Sequence, residues 1–363
     1  MKCLLVCNTV QNIINFRQPL IRKLRDRGIK IVIVAGDDNF RSELDEEEIK
    51  FYPVSANNRS TSILKSAEYK KNIYKIISGE KPDIVFTFQL KPNTFGVFAA
   101  KKAGVKNIFS MVEGAGDPFI KTGFKWGMIR RAVCFLYRKA FKNVKKVFFL
   151  NTDDKAEFIE RKLVKINQCE VIHGIGVDLE KFEFKPIKNY KTFLMVARML
   201  KTKGIYEYCE CARIVKKKYP DAVFNYLGAE GDVKISDIKE YIDDGSINYL
   251  GTVKDVRPFY EATSLLLLSS YREGCPMSIM EAESMGRAVI TSDNVGCRDT
   301  VKNGYNGFLV QKGNANIMAE KVIWCIEHPS EVEQMGKNAR KFAEENFNAE
   351  NINDYIVGKI LLN

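Results

Sequence analysis

Two glutamates, an arginine and a lysine carry the most informative chemistry in the second half of the chain. Glu273 and Glu281 have seven residues between them, with Gly274-Cys275-Pro276-Met277 directly after the first. Four leucines, Leu265–Leu268, read as a buried strand ahead of them, and Met277–Gly286 reads as a helix. A strand-to-helix turn in a parallel sheet puts Glu273 on the ligand edge and Glu281 about one helical turn further, so both can face one crevice. Gly274 allows close backbone approach, and the helix start offers unpaired N–H groups to an anion. Arg198 leaves the end of a strand, Thr192–Ala197, and Lys203 follows five residues later beside Gly204. That pair suits two phosphates, each charge-assisted bond contributing roughly 1.5–3 kcal/mol. A diphosphate that departs without a metal needs fixed positive charge of this kind.

Other chemistries find little support. Two histidines, His173 and His328, argue against a histidine metal cluster or a Ser-His-Asp triad. No Asp-x-Asp pair occurs, so the usual short acidic metal motif for a nucleotide-sugar is missing and no metal or other cofactor is expected. The first strand-to-helix turn, Asn8–Asn12, lacks glycine, and Gly114-Ala115-Gly116 and Gly174-Ile175-Gly176 both lack the third glycine of a dinucleotide fingerprint. No Walker loop is present. Nine scattered cysteines without a Cys-x-x-Cys pair fit a reducing compartment, with neither disulfides nor zinc.

The elements that must position these residues alternate strand with helix. At 363 residues the chain suggests two domains. In the first half we read strands near 2–7, 30–35, 50–54, 83–88, 106–111, 146–150 and 169–172, separated by amphipathic stretches at Pro19–Arg27, Ser62–Ile77 and Asn93–Ala103. A polar stretch at about 179–190 reads as a linker. Strands then resume near 192–196, 222–227, 247–250, 264–268, 288–291 and 307–310, and three helical stretches close the chain. The expected fold is α/β: two doubly wound, Rossmann-like domains, 1–184 and 185–347, facing across a cleft. No apolar run approaches the ~18–20 residues needed to span a bilayer.

With these residues in view, the second half resembles glycosyltransferase family 4 on the two-domain GT-B fold. The matches are Glu273-Gly274-Cys275-Pro276, Glu281-Ala282 with Gly286, Arg198 to Lys203-Gly204, Tyr249-Leu250-Gly251, and Asn303-Gly304-Tyr305-Asn306-Gly307. His173-Gly174-Ile175-Gly176-Val177-Asp178 is similar to that family's junction into its second domain. The resemblance implies a retaining transfer from a nucleotide-diphosphate sugar, by front-face attack with the leaving phosphate assisting deprotonation. It implies that Arg198 and Lys203 hold the diphosphate, Glu281 accepts from the ribose hydroxyls and Glu273 orients the donor sugar. Gly251, Thr252 and Val253 would face the base, and Gly274, Cys275, Pro276 and Met277 would complete the donor site. Residues 348–363 would form a helix packing back on the first domain.

Asn15-Phe16-Arg17, Lys91-Pro92-Asn93-Thr94-Phe95-Gly96 and Val112-Glu113-Gly114-Ala115-Gly116 are similar to bacterial enzymes of capsule, O-antigen and protein-linked glycan assembly. Nearest among them are N-acetylgalactosaminyltransferases that extend an undecaprenyl-diphosphate-linked monosaccharide. This implies a UDP-sugar donor, with UDP-N-acetylgalactosamine as the leading expectation, and a polyprenyl-diphosphate-linked acceptor met by Arg17, Lys91, Asn93 and Glu113. Arg17 and Lys91 would read acceptor phosphate. Glu113 stands near a position where many members carry histidine, and would orient the acceptor hydroxyl or the donor sugar.

Charge supports an anionic partner for the first half alone. Residues 1–184 hold 33 Lys+Arg and 21 Asp+Glu, whereas residues 185–363 hold 24 of each. Between Asp117 and Asp153 come nine basic residues and no acid. Ile129, Val133, Leu136, Ala140 and Val144 recur at helical spacing there, with Arg131, Arg138, Lys142 and Lys145 read as another face and Phe124, Trp126, Phe135 and Tyr137 adding interfacial character. We expect Lys125, Trp126, Arg130, Arg131, Arg138 and Lys142 to touch anionic lipid. The expected location is peripheral, on the cytoplasmic face of the inner membrane. No motif for nucleic acid accompanies the charge. Two alternatives stay open: a GT-B-fold sugar-nucleotide epimerase, which needs no acceptor, and a non-catalytic subunit that binds nucleotide-sugar or lipid-linked glycan.

Overall fold

Long apolar runs decide where the strands lie. In a computed structural model, which describes residues 1–36, 49–55 and 63–362, these runs form two all-parallel sheets. Seven strands make the first: β1 Lys2–Thr9, β2 Lys30–Gly36, β3 Lys50–Pro53, β4 Ile84–Phe88, β5 Asn107–Val112, β6 Lys146–Phe149 and β7 Cys169–Val171. Their order is β3-β2-β1-β4-β5-β6-β7. Six make the second: β8 Thr192–Val196, β9 Val223–Leu227, β10 Asn248–Tyr249, β11 Leu265–Leu268, β12 Ala288–Ser292 and β13 Gly307–Val310, in the order β10-β9-β8-β11-β12-β13. Every pairing is parallel.

Helices cover both faces of such sheets, so the central strands are apolar without alternation: all of Cys3–Cys7 and of Leu265–Leu268 is buried. Each sheet reverses its strand order once, between β1 and β4 and between β8 and β11. A reversal leaves a gap at the carboxyl ends of the two strands, because their following helices go to opposite faces. Both candidate sites lie at these reversals.

Local differences from the sequence reading have physical causes. The Asn8–Asn12 turn is already helical from Val10 to Phe16, with Thr9 Oγ1 capping the Asn12 N–H at 3.3 Å. The expected helix at Asn93–Ala103 begins as a π-helical turn, Pro92–Gly96, before Val97–Lys102. Ser62, the expected start of another helix, lies outside the described residues; that helix runs Ile63–Glu80.

Two compact units divide at Ile175/Gly176, ahead of the 184/185 boundary expected from composition, and residues 350–363 belong with the first. Arg340 sets the earlier boundary, because its guanidinium donates to the carbonyls of Leu179, Phe182 and Ser284 at 3.3, 3.0 and 2.9 Å. The closing helix, Ala349–Leu361, is tied to the first unit by Lys23, which pairs with Glu350 and Asp354 at 2.7 and 2.8 Å. No helix among the described residues is long and apolar enough to cross a membrane.

Candidate active site

In the second unit, the carboxyl end of β11 opens into the turn that carries Glu273. Its carboxylate pairs with the ammonium of Lys203 and accepts a hydrogen bond of 2.7 Å from Ser270 Oγ. Lys203 ends a short 3₁₀ turn, Lys201–Lys203, after β8. The two strand ends are joined closely: Tyr271 N–H donates to the Thr202 carbonyl at 2.8 Å and Ser269 Oγ to that of Gly204 at 2.7 Å. Gly204 has φ 76°, and a Cβ there would collide with the Ser269 carbonyl, which is why glycine must follow Lys203. Gly296 meets the Glu273 carbonyl in the same way from the loop after β12.

Lys203 keeps a quarter of its side-chain surface exposed, and Glu273 a tenth. Arg198 is exposed just beyond β8. The cations therefore stand at the edge of the sheet, open to an incoming anion, with a carboxylate and a hydroxyl beside them.

Glu281 sits in the helix Met277–Ser284, where Tyr260 Oη donates to its Oε2 at 2.9 Å. Burial pushes the Glu281 carboxyl up to about 7, with the Tyr260 hydrogen bond opposing that rise. Arg287, itself buried, fixes Tyr260 by donating to its carbonyl at 2.8 Å and to those of Lys185 and Glu261 at 2.6 and 3.1 Å. Gly251, Thr252 and Val253 follow β10 on a partly exposed loop, and the Gly251 carbonyl accepts from Gly228 N–H at 2.8 Å. Gly274, Cys275 and Met277 are half-buried beside Glu273, and Pro276 is buried at the helix start.

In the first unit, Arg17 and Glu113 form an ion pair. Arg17 is 2% exposed and its guanidinium lies 4.5 Å from the Phe88 ring centre. That position corrects the expectation that Arg17 presents its charge to a phosphate, because a ring and a carboxylate enclose the cation. Asn93 is also not where a ligand could meet it. It is fully buried: its Oδ1 accepts from Thr87 Oγ1 and its Nδ2 donates to the Met111 carbonyl, both at 2.7 Å, binding β4 to β5. Lys91 is largely buried, and burial lowers its pKa.

The helix Phe124–Phe141 buries Val133, Tyr137, Ala140 and Phe141. Tyr137 is thus a core residue and not an interfacial one; its ring lies 5.1 Å from that of Phe158. Phe124, Met128, Arg131, Phe135 and Arg138 are exposed, as is Lys142 just past the helix end. Their spacing of four, three, four, three and four puts them on one face, so the basic residues interleave with apolar ones instead of occupying a separate stripe. An open groove of about 650 Å³ runs beside them, lined by Arg130, Arg131, Arg138 and Arg161 with Cys134 and Phe135. Carbonyls hold two of these cations in place: Arg130 donates to Pro118 and Lys121 at 2.6 and 2.8 Å, and Arg138 to Lys162 and Arg161 at 3.2 and 3.0 Å. Lys125 is exposed, whereas Trp126 is half-buried under Lys121.

Sequence patterns did not single out Asn8, Gln89, Tyr260, Ser270 or Arg287. Gln89 is the most unusual, a non-glycine residue with φ 66° directly after β4.

Residues 177–342 match the family "Glycosyl transferases group 1", and residues 3–151 match "Glycosyl transferase 4-like". The N,N'-diacetylbacillosaminyl-diphospho-undecaprenol alpha-1,3-N-acetylgalactosaminyltransferase of Campylobacter jejuni is 30% identical, over 92% of this chain and 91% of that protein. The UDP-Gal:alpha-D-GlcNAc-diphosphoundecaprenol alpha-1,3-galactosyltransferase of Escherichia coli is 27% identical, over 84% and 81%. Among solved structures, Anabaena HepE in complex with UDP and glucose superposes with a TM-score of 0.82 at 18% identity, covering 100% of both chains. With its two parallel sheets, its pair of family matches and a relative shared over almost the full length, the chain belongs to the GT-B glycosyltransferases of family 4.

Proposed function

We propose that the chain is a retaining, metal-independent transferase that moves a hexose or N-acetylhexosamine from a UDP-sugar onto an undecaprenyl-diphosphate-linked saccharide. Such a step belongs to the assembly of cell-surface polysaccharide or protein-linked glycan. UDP-N-acetylgalactosamine is the first donor to test, given that the Campylobacter jejuni relative is an N-acetylgalactosaminyltransferase. The second unit, Gly176–Ala349, serves the donor, and the first unit serves the acceptor and an anionic membrane surface on the cytoplasmic face of the inner membrane.

The observation that carries this reading is the Lys203–Glu273–Ser270 constellation at the β8/β11 reversal. A cation held by a carboxylate, yet still exposed, can turn to a diphosphate and stabilise the leaving oxygen as the sugar bond breaks. Arg198 adds a second charge. Glu273, once its cation engages the phosphate, orients the donor sugar, and Glu281 accepts from the ribose hydroxyls. The departing phosphate oxygen takes the acceptor's proton, so the retaining step needs no protein nucleophile.

The test is purified protein with UDP-sugars and a short lipid-diphosphate-monosaccharide, product mass and anomeric configuration being read with EDTA present. Extended acceptor in the α configuration supports the proposal. Loss of product with EDTA, or a β linkage, overturns its metal-independent or retaining part. Epimerised donor without transfer supports the epimerase reading, and binding without turnover supports a non-catalytic subunit.

A further inference from the structure

The reversal between β1 and β4 in the first unit holds a polar cluster unlike its counterpart in the second. Gln89, in left-handed backbone after β4, reaches both ways: its Oε1 accepts from Asn8 N–H at 3.1 Å, and its Nε2 donates to Glu113 Oε2. One side chain thereby bridges the ends of β1 and β5. Glu113 Oε1 is taken by Arg17, whose charge is sealed against Phe88. Among the described residues, Asn8 Oδ1 is buried and meets no donor. Glu113 keeps 18% of its side chain exposed, and each carboxylate oxygen can accept a further hydrogen bond. Arg17 Nε, like Asn8 Oδ1, is buried without a partner among the described residues, but Arg17 is 2% exposed, so the partly exposed charge of the cluster is the Glu113 carboxylate. A carboxylate accepts from a sugar hydroxyl and repels a phosphate.

We propose that Asn8 and Glu113 form a binding site for hydroxyl groups of the acceptor sugar, with Gln89 as the positioning residue that aims the Glu113 carboxylate. This rests on the reading of the first unit as the acceptor side. It assigns the acceptor's uncharged ring, and not its diphosphate, to the β1/β4 reversal. The strained backbone at Gln89 fits such a role, because a left-handed residue between two strand ends holds its side chain in one direction only.

The experiment uses the full chain with a short lipid-diphosphate-monosaccharide and its singly deoxygenated versions. In the native protein, removal of one hydroxyl should lower kcat/KM about 10- to 100-fold, the range for a hydrogen bond to a charged group. Gln89→Ala should lose a similar factor on the intact acceptor, mostly through acceptor KM, and lose little more on the deoxygenated one, with UDP affinity unchanged by calorimetry. Gln89→Asn, at ease in left-handed backbone but too short to bridge, should behave likewise and guards against a folding artefact. If Gln89→Ala and the native protein lose the same factor on every deoxygenated acceptor, the assignment is overturned while the transferase reading stands. A readout without turnover separates the two: saturation-transfer NMR with methyl N-acetyl-α-glucosaminide. A Gln89-dependent signal in a protein that transfers nothing keeps the site and removes the function. Displacement of that signal by inorganic pyrophosphate, or no dependence on Gln89, removes the site.

Discussion

Both sheets end, at their order reversals, in a glutamate paired with a basic residue, and the two pairs differ in what surrounds the cation. Lys203 keeps a quarter of its side chain exposed and shares Glu273 with a serine hydroxyl. Arg17 is enclosed by Phe88 and by Glu113, which is itself held by Gln89. An exposed lysine is a mobile, hydrated charge that can leave one anion for another, whereas a planar guanidinium laid on a ring is a fixed clamp. A glutamate with a basic partner thus suits an anion in one unit and forms a braced carboxylate in the other. Both the identity of the cation and its burial decide which.

Unfolding should show the difference most strongly. Glu113→Ala leaves the buried Arg17 charge without its counterion, a loss of about 3–5 kcal/mol. Glu273→Ala leaves Lys203 able to turn to water, at about 1 kcal/mol or less. Urea denaturation of the two variants measures both, and equal losses would break the comparison. Catalysis should sort the cations in the opposite sense. Lys203→Ala should slow transfer about 10²- to 10³-fold, the scale for removing one donor to a developing oxyanion, with the midpoint of thermal unfolding nearly unchanged. Wild-type turnover in that variant would remove the diphosphate assignment.

Glu281 sharpens the picture through pH. Burial raises its carboxyl to about 7, so between its usual value of 4.5 and that point the native state binds more protons than the unfolded chain. Stability from this group is present at low pH and falls as pH rises through about 7. Nucleotide binding runs the other way, because only the ionised carboxylate can accept from both ribose hydroxyls. Affinity for UDP should climb, by up to about tenfold, the rise in the ionised fraction of a group titrating near 7, from pH 6 to pH 8. Glu281→Gln should bind more weakly and flatten the climb. A flat profile in the native protein would remove the ribose role.

How much of this was legible beforehand follows the same divide. Strand positions were readable because buried parallel strands leave unbroken apolar runs such as Leu265–Leu268. The residues proposed for the donor stood out because they cluster in sequence: Glu273 and Glu281 lie on one turn and the next helix, and Arg198 and Lys203 on another. The cluster proposed for the acceptor assembles from the ends of β1, β4 and β5 and the residue after the helix Val10–Phe16, so its members are far apart in the chain. Asn93 was expected to meet the acceptor, yet the π-helical turn buries it against β4 and β5, where its hydrogen bonds are internal. Gln89 carried no local mark, since glutamine is not a residue that favours positive φ. Tyr260 reaches Glu281 only through tertiary packing held by Arg287.

The contrast between the units extends to the surface, where the smallest effect per residue is expected. All of the net positive charge lies in residues 1–184, and the helix Phe124–Phe141 alternates Phe124, Met128 and Phe135 with Arg131 and Arg138 along one exposed face. Apolar side chains of that kind can enter the headgroup region while the arginines meet lipid phosphate, and each cation contributes about 1 kcal/mol. Arg131→Glu with Arg138→Glu and Lys142→Glu should therefore lower sedimentation with vesicles rich in phosphatidylglycerol, more at low salt than at high salt, while UDP affinity holds. Charge reversal at Lys217 and Lys218, exposed on a helix of the neutral unit, is the matched control and should leave sedimentation as it was. If both sets act alike, attraction to the vesicle reflects net charge alone and the helix has no particular claim on the membrane. If only the first set acts, and Phe135→Ser adds to the loss, the interleaved face is what the lipid reads.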